Sequence, residues 1–207
     1  PDPLWSRGLG DVYKRQINQK GELVCTRAFP SMPINFWNDP DGSKFHNAYF
    51  SDYPGVWTHG DYILINDHGG VIVFGRSDAT LNPAGVRIGT AEIYRVVEAF
   101  PEIEDSLAVG QQWEGDERVI LFVKMNEGKQ FTEDLEKQLA DAIRNSCSPR
   151  HVPAKTVPAP DIPYTINGKK VEIAVKKILH GSKALNKDAL ANPESLLFFK
   201  DLDVLKD

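Results

Sequence analysis

Residues 75–87 read Gly-Arg-Ser-Asp-Ala-Thr-Leu-Asn-Pro-Ala-Gly-Val-Arg, and this stretch separates two different sequence patterns. The residues before it form short β-rich runs between turns, whereas those after it alternate between helical and strand patterns. The stretch contains glycines, a proline and arginines but little apolar surface to bury. We therefore expect it to lie exposed between two packed bodies and to absorb backbone rotation there. An ordinary interdomain linker would have the same composition.

The chain has 207 residues, which leaves room for one or two domains with a real core. Its formal net charge of −5 argues against nucleic acid as a main partner, because no broad basic face is available to neutralise phosphates. No apolar run approaches the roughly 20 residues that a membrane span needs. We therefore expect no nucleic-acid partner and no membrane span.

The cysteines and histidines suggest neither a disulfide framework nor a metal site. Cys25 and Cys147 lie far apart and outside any Cys-x-x-Cys spacing, which favours a reducing cytosol and a cytoplasmic protein. None of the five histidines has metal-ligand spacing. We interpret each of them as a surface or loop residue: His46, His59, His68, His151 and His180.

Residues 1–16 show no hydrophobic period and join abruptly to a well-patterned strand. Their run Ser-Arg-Gly-Leu-Gly-Asp-Val-Tyr-Lys-Arg-Gln is similar to translated cloning-adapter sequence and is too polar for a signal peptide. We predict an adapter artefact and exclude this stretch from fold reasoning. An artefact at this position would also mean that an N-terminal part of the protein is missing.

Residues 17–77 form a β-rich piece with too few strands to be complete by itself. Two β-rich runs on either side of a Gly-Gly turn, residues 56–66 and 71–75, predict a hairpin. A loop at residues 30–42 carries Phe36 and Trp37, which we expect to pack back onto a core. Asp61 interrupts the first strand of the hairpin. It is either a satisfied structural aspartate or, if it faces a pocket, a carboxylate suited to the vicinal hydroxyls of a sugar.

Helices and strands alternate downstream, which predicts a compact α+β domain. Thr90 and Thr132 are expected to cap two helices, and the apolar run 119–123 should be a central strand covered on both faces. A strand at 152–157 and a helix at 171–179 follow. Beyond residue 182 the pattern weakens into a tail whose segment 196–199 should dock on a neighbouring surface.

Residues 163–170 read Pro-Tyr-Thr-Ile-Asn-Gly-Lys-Lys and place a lysine after a glycine turn, just before a helix. This loop is not the phosphate loop of the P-loop nucleotidases, because the Gly-x4-Gly spacing and the following Ser or Thr are absent. Taken alone, Lys169 would be a solvated turn residue.

Taken together, the motifs resemble the adenylate-forming enzymes, which include acyl-CoA synthetases, nonribosomal-peptide adenylation domains and beetle luciferases. The similarity extends from Gly21 to about Leu179. Its carriers are Gly-Glu-Leu at 21–23, Trp-Thr-His-Gly-Asp at 57–61, Gly-Arg-Ser-Asp at 75–78, Gly-Val-Arg-Ile at 85–88, Thr-Ala-Glu-Ile at 90–93 and residues 163–169. A second set of motifs resembles one synthetase for a short-chain keto acid. These motifs are Pro-Ser-Met-Pro at 30–33, Phe-Trp-Asn-Asp at 36–39, Tyr-Pro-Gly-Val-Trp-Thr-His-Gly-Asp at 53–61, Ser-Pro-Arg-His-Val-Pro at 148–153, Gly-Lys-Lys-Val-Glu at 168–172 and Asn-Pro-Glu-Ser-Leu at 192–196.

The resemblance implies two half-reactions with ATP and CoA as substrates. A carboxylate attacks the α-phosphorus of ATP to give an acyl-adenylate and pyrophosphate, and CoA then displaces AMP to form a thioester. Lys169 matches the family lysine that touches the substrate carboxylate and the α-phosphate. Asp61 matches the ribose-binding carboxylate, Arg76 an arginine near the ribose, and Arg87 one directed towards the phosphates.

The second half-reaction implies further roles. Asp78 matches the hinge about which the small domain turns, which would remove Lys169 from the cleft and bring Gly85 to the pantetheine tunnel. Arg144 falls where related enzymes hold the CoA 3′-phosphate, although a surface helix arginine is the alternative. Lys170 replaces an apolar residue common in relatives, and if Lys170 took over the catalytic role the assignment would shift by one.

The predicted organisation is an α+β chain with residues 17–77 as the last β-rich part of a large N-terminal domain, 78–181 as the small C-terminal domain and 182–207 as a tail. The family's phosphate loop and acyl pocket have no counterpart here, so we expect a C-terminal fragment that needs the missing N-terminal domain. We expect Mg²⁺ to bind together with ATP, and we expect this part of the chain to supply none of its ligands. The alternatives are a synthetase for acetate or propionate, and a non-catalytic nucleotide- or CoA-binding module.

Overall fold

The computed structural model describes residues 5–7, 17–182 and 187–206, and the chain divides into two compact units, Pro1–Asp78 and Ala79–Asp207. The first unit contains strands β1 (Trp5–Arg7), β2 (Lys20–Cys25), β3 (Trp57–Ile65) and β4 (Val71–Arg76), and helix α1 (Ser43–Tyr49). The second contains helices α2 (Thr90–Val97), α3 (Glu133–Ser146) and α4 (Glu172–Leu179), and strands β5 (Ile103–Trp113), β6 (Asp116–Met125) and β7 (Lys155–Pro158).

The first unit is an antiparallel sheet in the order β1-β2-β3-β4. The predicted hairpin is confirmed as β3 and β4, joined by a turn in which Gly69 has φ +79°. Strand β1 falls within residues 1–16, which the sequence reasoning left out, and the rest of that stretch lies outside the described residues. Its adapter origin stays a prediction.

An aromatic cluster packs α1 onto the start of β3. The ring of Tyr49 stacks on Trp57 with centroids 3.6 Å apart, and Phe45 contacts both rings edge-on. Phe36 joins this cluster through Phe45, as expected. The expectation for its neighbour was wrong, because Trp37 is 97% exposed. Adjacent residues of an irregular loop point in different directions, and composition does not specify which one turns inward.

The second unit is built on a three-stranded sheet in the order β5-β6-β7, with β5 and β6 antiparallel and β6 and β7 parallel. Strand β6 is central, and its apolar run 119–123 is buried on both faces, as predicted. One face packs against α2 and α3, and the other against α4 and the tail. The tail docks as expected, with Phe199 fully buried against Phe122 at 4.8 Å between ring centroids.

Of three local expectations, two need correction and one is confirmed. The cap of α2 is Gly89 rather than Thr90, and the Gly89 N–H donates to the Glu92 carboxylate at 3.0 Å. The Thr132 cap of α3 is confirmed by a bond of 3.2 Å from the Leu135 N–H to its hydroxyl. His151 is buried, not exposed, because its Nδ1 lies 2.8 Å from the Ser148 hydroxyl inside a short 3-10 turn.

Candidate active site

Asp61 lies at the centre of a polar group that we call the Asp61 cluster, formed by His59 and Asp61 on β3, Arg76 on β4 and Asp78 in the 3-10 turn that follows β4. The ladder places Asp61 opposite Arg76. The His59 Nδ1 lies 2.8 Å from Asp61 Oδ2, and Arg76 Nη1 lies 3.6 Å from Asp61 Oδ1. The Asp61 side chain keeps 25% of its exposure, so its oxygens are held in place and still reachable by a ligand. Such a carboxylate can accept hydrogen bonds from neighbouring hydroxyls.

The position of the Arg76 guanidinium depends on Gly60. Gly60 has φ +83°, and a Cβ at this position would lie 2.5 Å from Arg76 Nη2. The Arg76 Nη1 donates to the His59 carbonyl at 3.1 Å, and the Gly60 N–H donates to the buried Glu22 carboxylate at 3.0 Å. The positive φ therefore favours glycine here, and a larger residue would also displace the Arg76 guanidinium.

Asp78 is the last residue of the first unit and accepts a bond of 3.3 Å from Arg76 Nε. Both side chains are about half exposed, with 52% for Arg76 and 51% for Asp78. An exposed pair of this kind adds little stability, about 0–1 kcal/mol. Local rotation at Asp78 is therefore only weakly opposed by this contact.

Gly85 and Arg87 share a small hairpin in the second unit, residues 81–88, which we call the Gly85 hairpin. Its ends are fixed by two backbone bonds of 2.9 and 2.8 Å between Leu81 and Ile88, whose side chains are buried. At the tip, Gly85 has φ +75°, and no heavy atom lies within 4 Å of where its Cβ would be. Arg87 is exposed. The backbone at the tip of the hairpin is therefore accessible, while the two backbone bonds at its base keep the hairpin closed.

Glu117 holds the Gly85 hairpin to the rest of the unit. Its Oε1 accepts the Asn82 N–H at 2.6 Å, and its Oε2 lies 2.6 Å from Lys176 Nζ on α4. The carboxylate packs directly on Gly110, where a Cβ would fall 2.1 Å from Glu117 Cδ. The sequence reasoning missed Glu117, which it assigned to an acidic turn, whereas the residue is buried at the start of β6.

Lys169 occupies the end of a tight turn that we call the lysine turn, residues 164–170. The Gly168 N–H donates to the Thr165 carbonyl at 2.8 Å, and the Lys169 N–H donates to the Thr165 hydroxyl at 3.1 Å. Gly168 has φ +70°, which glycine adopts without strain. The Lys169 side chain is exposed, and within the described residues no acidic group pairs with its ammonium. This ammonium is available to a ligand.

Lys170 has the opposite environment, with only 14% of its side chain exposed. Its Nζ pairs with the Glu98 carboxylate, lies 2.6 Å from Asp105 Oδ1 and donates to the Ser106 carbonyl at 2.6 Å. It also stands 4.2 Å from the centre of the Tyr94 ring. These contacts bind Lys170 to its own unit, which favours Lys169 over Lys170 as the ligand-directed lysine.

Asp105 anchors both legs of the lysine turn. Its Oδ1 pairs with Lys170, and its Oδ2 accepts a bond of 2.6 Å from the Tyr164 hydroxyl. Burial and this hydrogen bond raise the pKa of the Tyr164 phenol above its ordinary value. Burial also raises the pKa of the Glu172 carboxyl, which accepts the Tyr94 hydroxyl at 3.0 Å. The turn therefore rests on a connected polar network.

The remaining predicted site residue, Arg144, is exposed on the last turn of α3 and pairs with Asp141 at 2.6 Å. The structure groups Asp61, Arg76 and Asp78 in one cluster, and Gly85 and Arg87 in one hairpin. Lys169 and Arg144 stand on separate elements. Among the described residues, no group of His, Cys, Asp and Glu could hold a metal ion, and no helix is long and apolar enough to cross a membrane.

The fold is that of the C-terminal part of adenylate-forming enzymes. A benzoate CoA ligase from Burkholderia xenovorans LB400 superposes with a TM-score of 0.69 over 84% of this chain and 33% of that chain, at 20% identity. At this identity the likeness concerns the fold alone. No model of a protein family matches the chain.

Relatives with higher sequence identity than this ligase are acetoacetyl-CoA synthetases. The enzyme from Streptomyces lividans superposes with a TM-score of 0.89 at 42% identity, over 99% of this chain and 31% of that chain. Acetoacetyl-coenzyme A synthetase of Rhizobium meliloti (strain 1021) is 56% identical over 216 residues, which cover 99% of this chain and 33% of that protein. The chain thus spans about a third of the length of these relatives. Acetoacetyl-CoA synthetases are the enzymes that the second set of motifs resembles, so that resemblance is confirmed.

Proposed function

We propose that this chain forms part of an acetoacetate-CoA ligase of the AMP-forming type. The acetoacetate carboxylate attacks the α-phosphorus of ATP, giving acetoacetyl-AMP and pyrophosphate. The CoA thiolate then attacks the acyl carbon, and AMP leaves as the thioester forms. The observation that carries the proposal is the similarity to eight acetoacetyl-CoA synthetases at 50–56% identity over 88–99% of this chain.

The Lys169 ammonium acts in the first half-reaction. A compact positive charge between two anionic reactants lowers their repulsion as charge builds in the transition state. The exposure of Lys169 and the separate engagement of Lys170 support this role. Asp61 accepts the ribose hydroxyls, Arg76 stands near the ribose, and Arg87 is directed towards the phosphates. Mg²⁺ accompanies ATP.

The second half-reaction uses a different face of the small domain. Asp78 is the hinge between residues 17–77 and 78–181, the Gly85 hairpin lines the pantetheine tunnel, and Arg144 holds the CoA 3′-phosphate. The open tip at Gly85 supports this, because a glycine without nearby atoms admits a close ligand. A larger N-terminal domain of the same polypeptide supplies the phosphate loop and the acyl pocket. The enzyme works in the cytosol, where it uses ketone-body carbon for lipid synthesis.

The test is made on the full-length polypeptide that carries this segment, with acetoacetate, acetate and propionate compared as substrates in the presence of ATP and CoA. We expect kcat/KM for acetoacetate to exceed the other two by at least about tenfold, a difference of about 1.4 kcal/mol in transition-state binding. Thioester and AMP should appear in equal amounts. Equal or greater efficiency with acetate or propionate would contradict the proposal.

A further inference from the structure

Asn192 opens the Asn-Pro-Glu-Ser-Leu motif in the tail, a motif with no part in the two half-reactions above. The residue precedes a short 3-10 turn, Pro193–Leu197, and its carbonyl accepts the Ser195 hydroxyl at 2.6 Å. It is partly buried. The backbone of Asn192 is thereby fixed, and its side chain is free to serve another part of the chain.

The Asn192 amide bridges the backbone on either side of Pro163. Its Oδ1 accepts the Tyr164 N–H at 2.8 Å, and its Nδ2 donates to the Ile162 carbonyl at 2.9 Å. The same Nδ2 also donates to the Asp161 carboxylate. A side-chain amide carries both a donor and an acceptor. Asn192 therefore forms hydrogen bonds with a backbone N–H and a backbone carbonyl of this segment, as the main chain of a neighbouring strand would.

Backbone bonds extend this contact into the lysine turn. The Ala191 N–H donates to the Tyr164 carbonyl at 2.9 Å, and the Ile166 N–H donates to the Ala189 carbonyl at 3.0 Å. The tail segment 189–192 thus runs beside the leg that enters the lysine turn. The leg that leaves the turn is held through the pair of Lys170 and Asp105, the latter also bonded to the Tyr164 hydroxyl.

We propose that Asn192 is a positioning residue for the adenylation half-reaction. By fixing the backbone between Ile162 and Tyr164, it sets where the Lys169 ammonium stands relative to the reacting carboxylate and phosphate. A displacement of about 1 Å at a reacting group can cost a hundredfold in rate. This inference rests on the proposed role of Lys169.

Two substitutions test the inference in the full-length enzyme. Asn192→Asp removes the donor to the Ile162 carbonyl and places a carboxylate beside Asp161, whereas Asn192→Ala removes all three side-chain bonds without adding charge. We expect either variant to lower the kcat of ATP–pyrophosphate exchange with acetoacetate by about ten- to a hundredfold, with the KM for ATP changed by less than about threefold. Thioester formation from preformed acetoacetyl-AMP should stay within about threefold of wild type.

Asn126 offers a matched control in the same unit. Its Nδ2 donates to the carbonyls of Pro101 and Ile103 at 2.9 and 3.1 Å. Like Asn192, it therefore holds the backbone of a loop through its side-chain amide. Asn126→Asp should lower the melting temperature and leave the ratio of the two half-reactions unchanged. Equal losses in both half-reactions for the Asn192 variants, or the same selectivity in Asn126→Asp, would overturn the positioning role.

Lys169→Ala, assayed alongside, separates the two proposals. If Lys169→Ala retains exchange, the proposed role of Lys169 fails, and the positioning role of Asn192 fails with it. If Lys169→Ala loses exchange while both Asn192 variants keep it, only the positioning role fails. If Asn192→Asp does not yield folded protein, the neutral Asn192→Ala decides the matter.

Discussion

Lys169 and Lys170 are neighbours in the sequence with opposite environments. The Lys170 ammonium is withdrawn from water and paired with Glu98 and Asp105, whereas the Lys169 ammonium is exposed. A buried ammonium needs such partners, because desolvation without compensation costs several kcal/mol. Lys170 therefore anchors the backbone of the lysine turn, and Lys169 remains available for a ligand.

At the same scale, Gly60 sets the position of Arg76. Gly60→Ala should destabilise the first unit by about 1–3 kcal/mol, because alanine is strained at a φ of +83°. It should also weaken ATP binding by the full-length enzyme, because the new Cβ would displace the guanidinium. Gly55→Ala is the matched control, since Gly55 also has positive φ, +73°, but open space around its Cβ position. Thermal unfolding and nucleotide titration measure the two effects. Similar ATP affinities in the two variants would show that Arg76 does not depend on Gly60.

At the scale of elements, the tail completes the core of the second unit. Phe199 is fully buried, and the Leu205 carbonyl accepts Arg118 Nη2 at 2.7 Å. The Val204 carbonyl accepts Lys155 Nζ at 2.6 Å. The tail is thus tied to β6 and β7 by its backbone as well as by apolar burial. Because Asn192 belongs to the same tail, the order of the tail is linked to the order of the lysine turn.

Phe199→Ala should therefore lower the free energy of unfolding of the chain by about 3–5 kcal/mol, the usual cost of removing a buried aromatic ring. Leu197→Ala is the control, because Leu197 lies two positions before Phe199 and is 70% exposed, and its loss should cost less than about 0.5 kcal/mol. Urea denaturation of both variants against wild type gives the comparison. Equal costs would mean that the tail does not dock through Phe199.

The sequence predicted elements well where the signal is local. The apolar run of β6 and the Thr132 cap of α3 each carry their own pattern, and both were confirmed. The short helix α1 was missed, because it has only 7 residues and its apolar side is limited to one i, i+4 pair, Phe45 and Tyr49. Strand β7 begins at Lys155, three residues later than expected, because a 3-10 turn precedes it.

The residues of the candidate site also differ in whether a local sequence pattern marks them. Lys169 could be selected from the sequence, because Gly-Lys before a helix in a resembling family is a local signal. Asp105, Glu117 and Asn192 could not be, because each acts on a segment 28 or more positions away along the chain. A carboxylate or amide whose partner is distant leaves no periodic pattern. Such residues become visible only when the fold brings the segments together.

At the scale of the whole molecule, the chain comprises two units that carry different parts of the proposed site. The Asp61 cluster lies in the first unit, and the lysine turn and Gly85 hairpin lie in the second. In the proposed mechanism one movable domain serves two transition states. Lys169 should then matter to the first half-reaction and not to the second.

Separate assay of the two half-reactions in full-length Lys169→Ala tests this claim most directly. Lys177→Ala is the control, because Lys177 is an exposed lysine on α4 of the same unit. We predict that Lys169→Ala lowers ATP–pyrophosphate exchange with acetoacetate by about a hundredfold or more, while thioester formation from preformed acetoacetyl-AMP stays near wild type, and that Lys177→Ala changes neither rate. Equal loss of both half-reactions in Lys169→Ala, or full retention of exchange, would contradict the account.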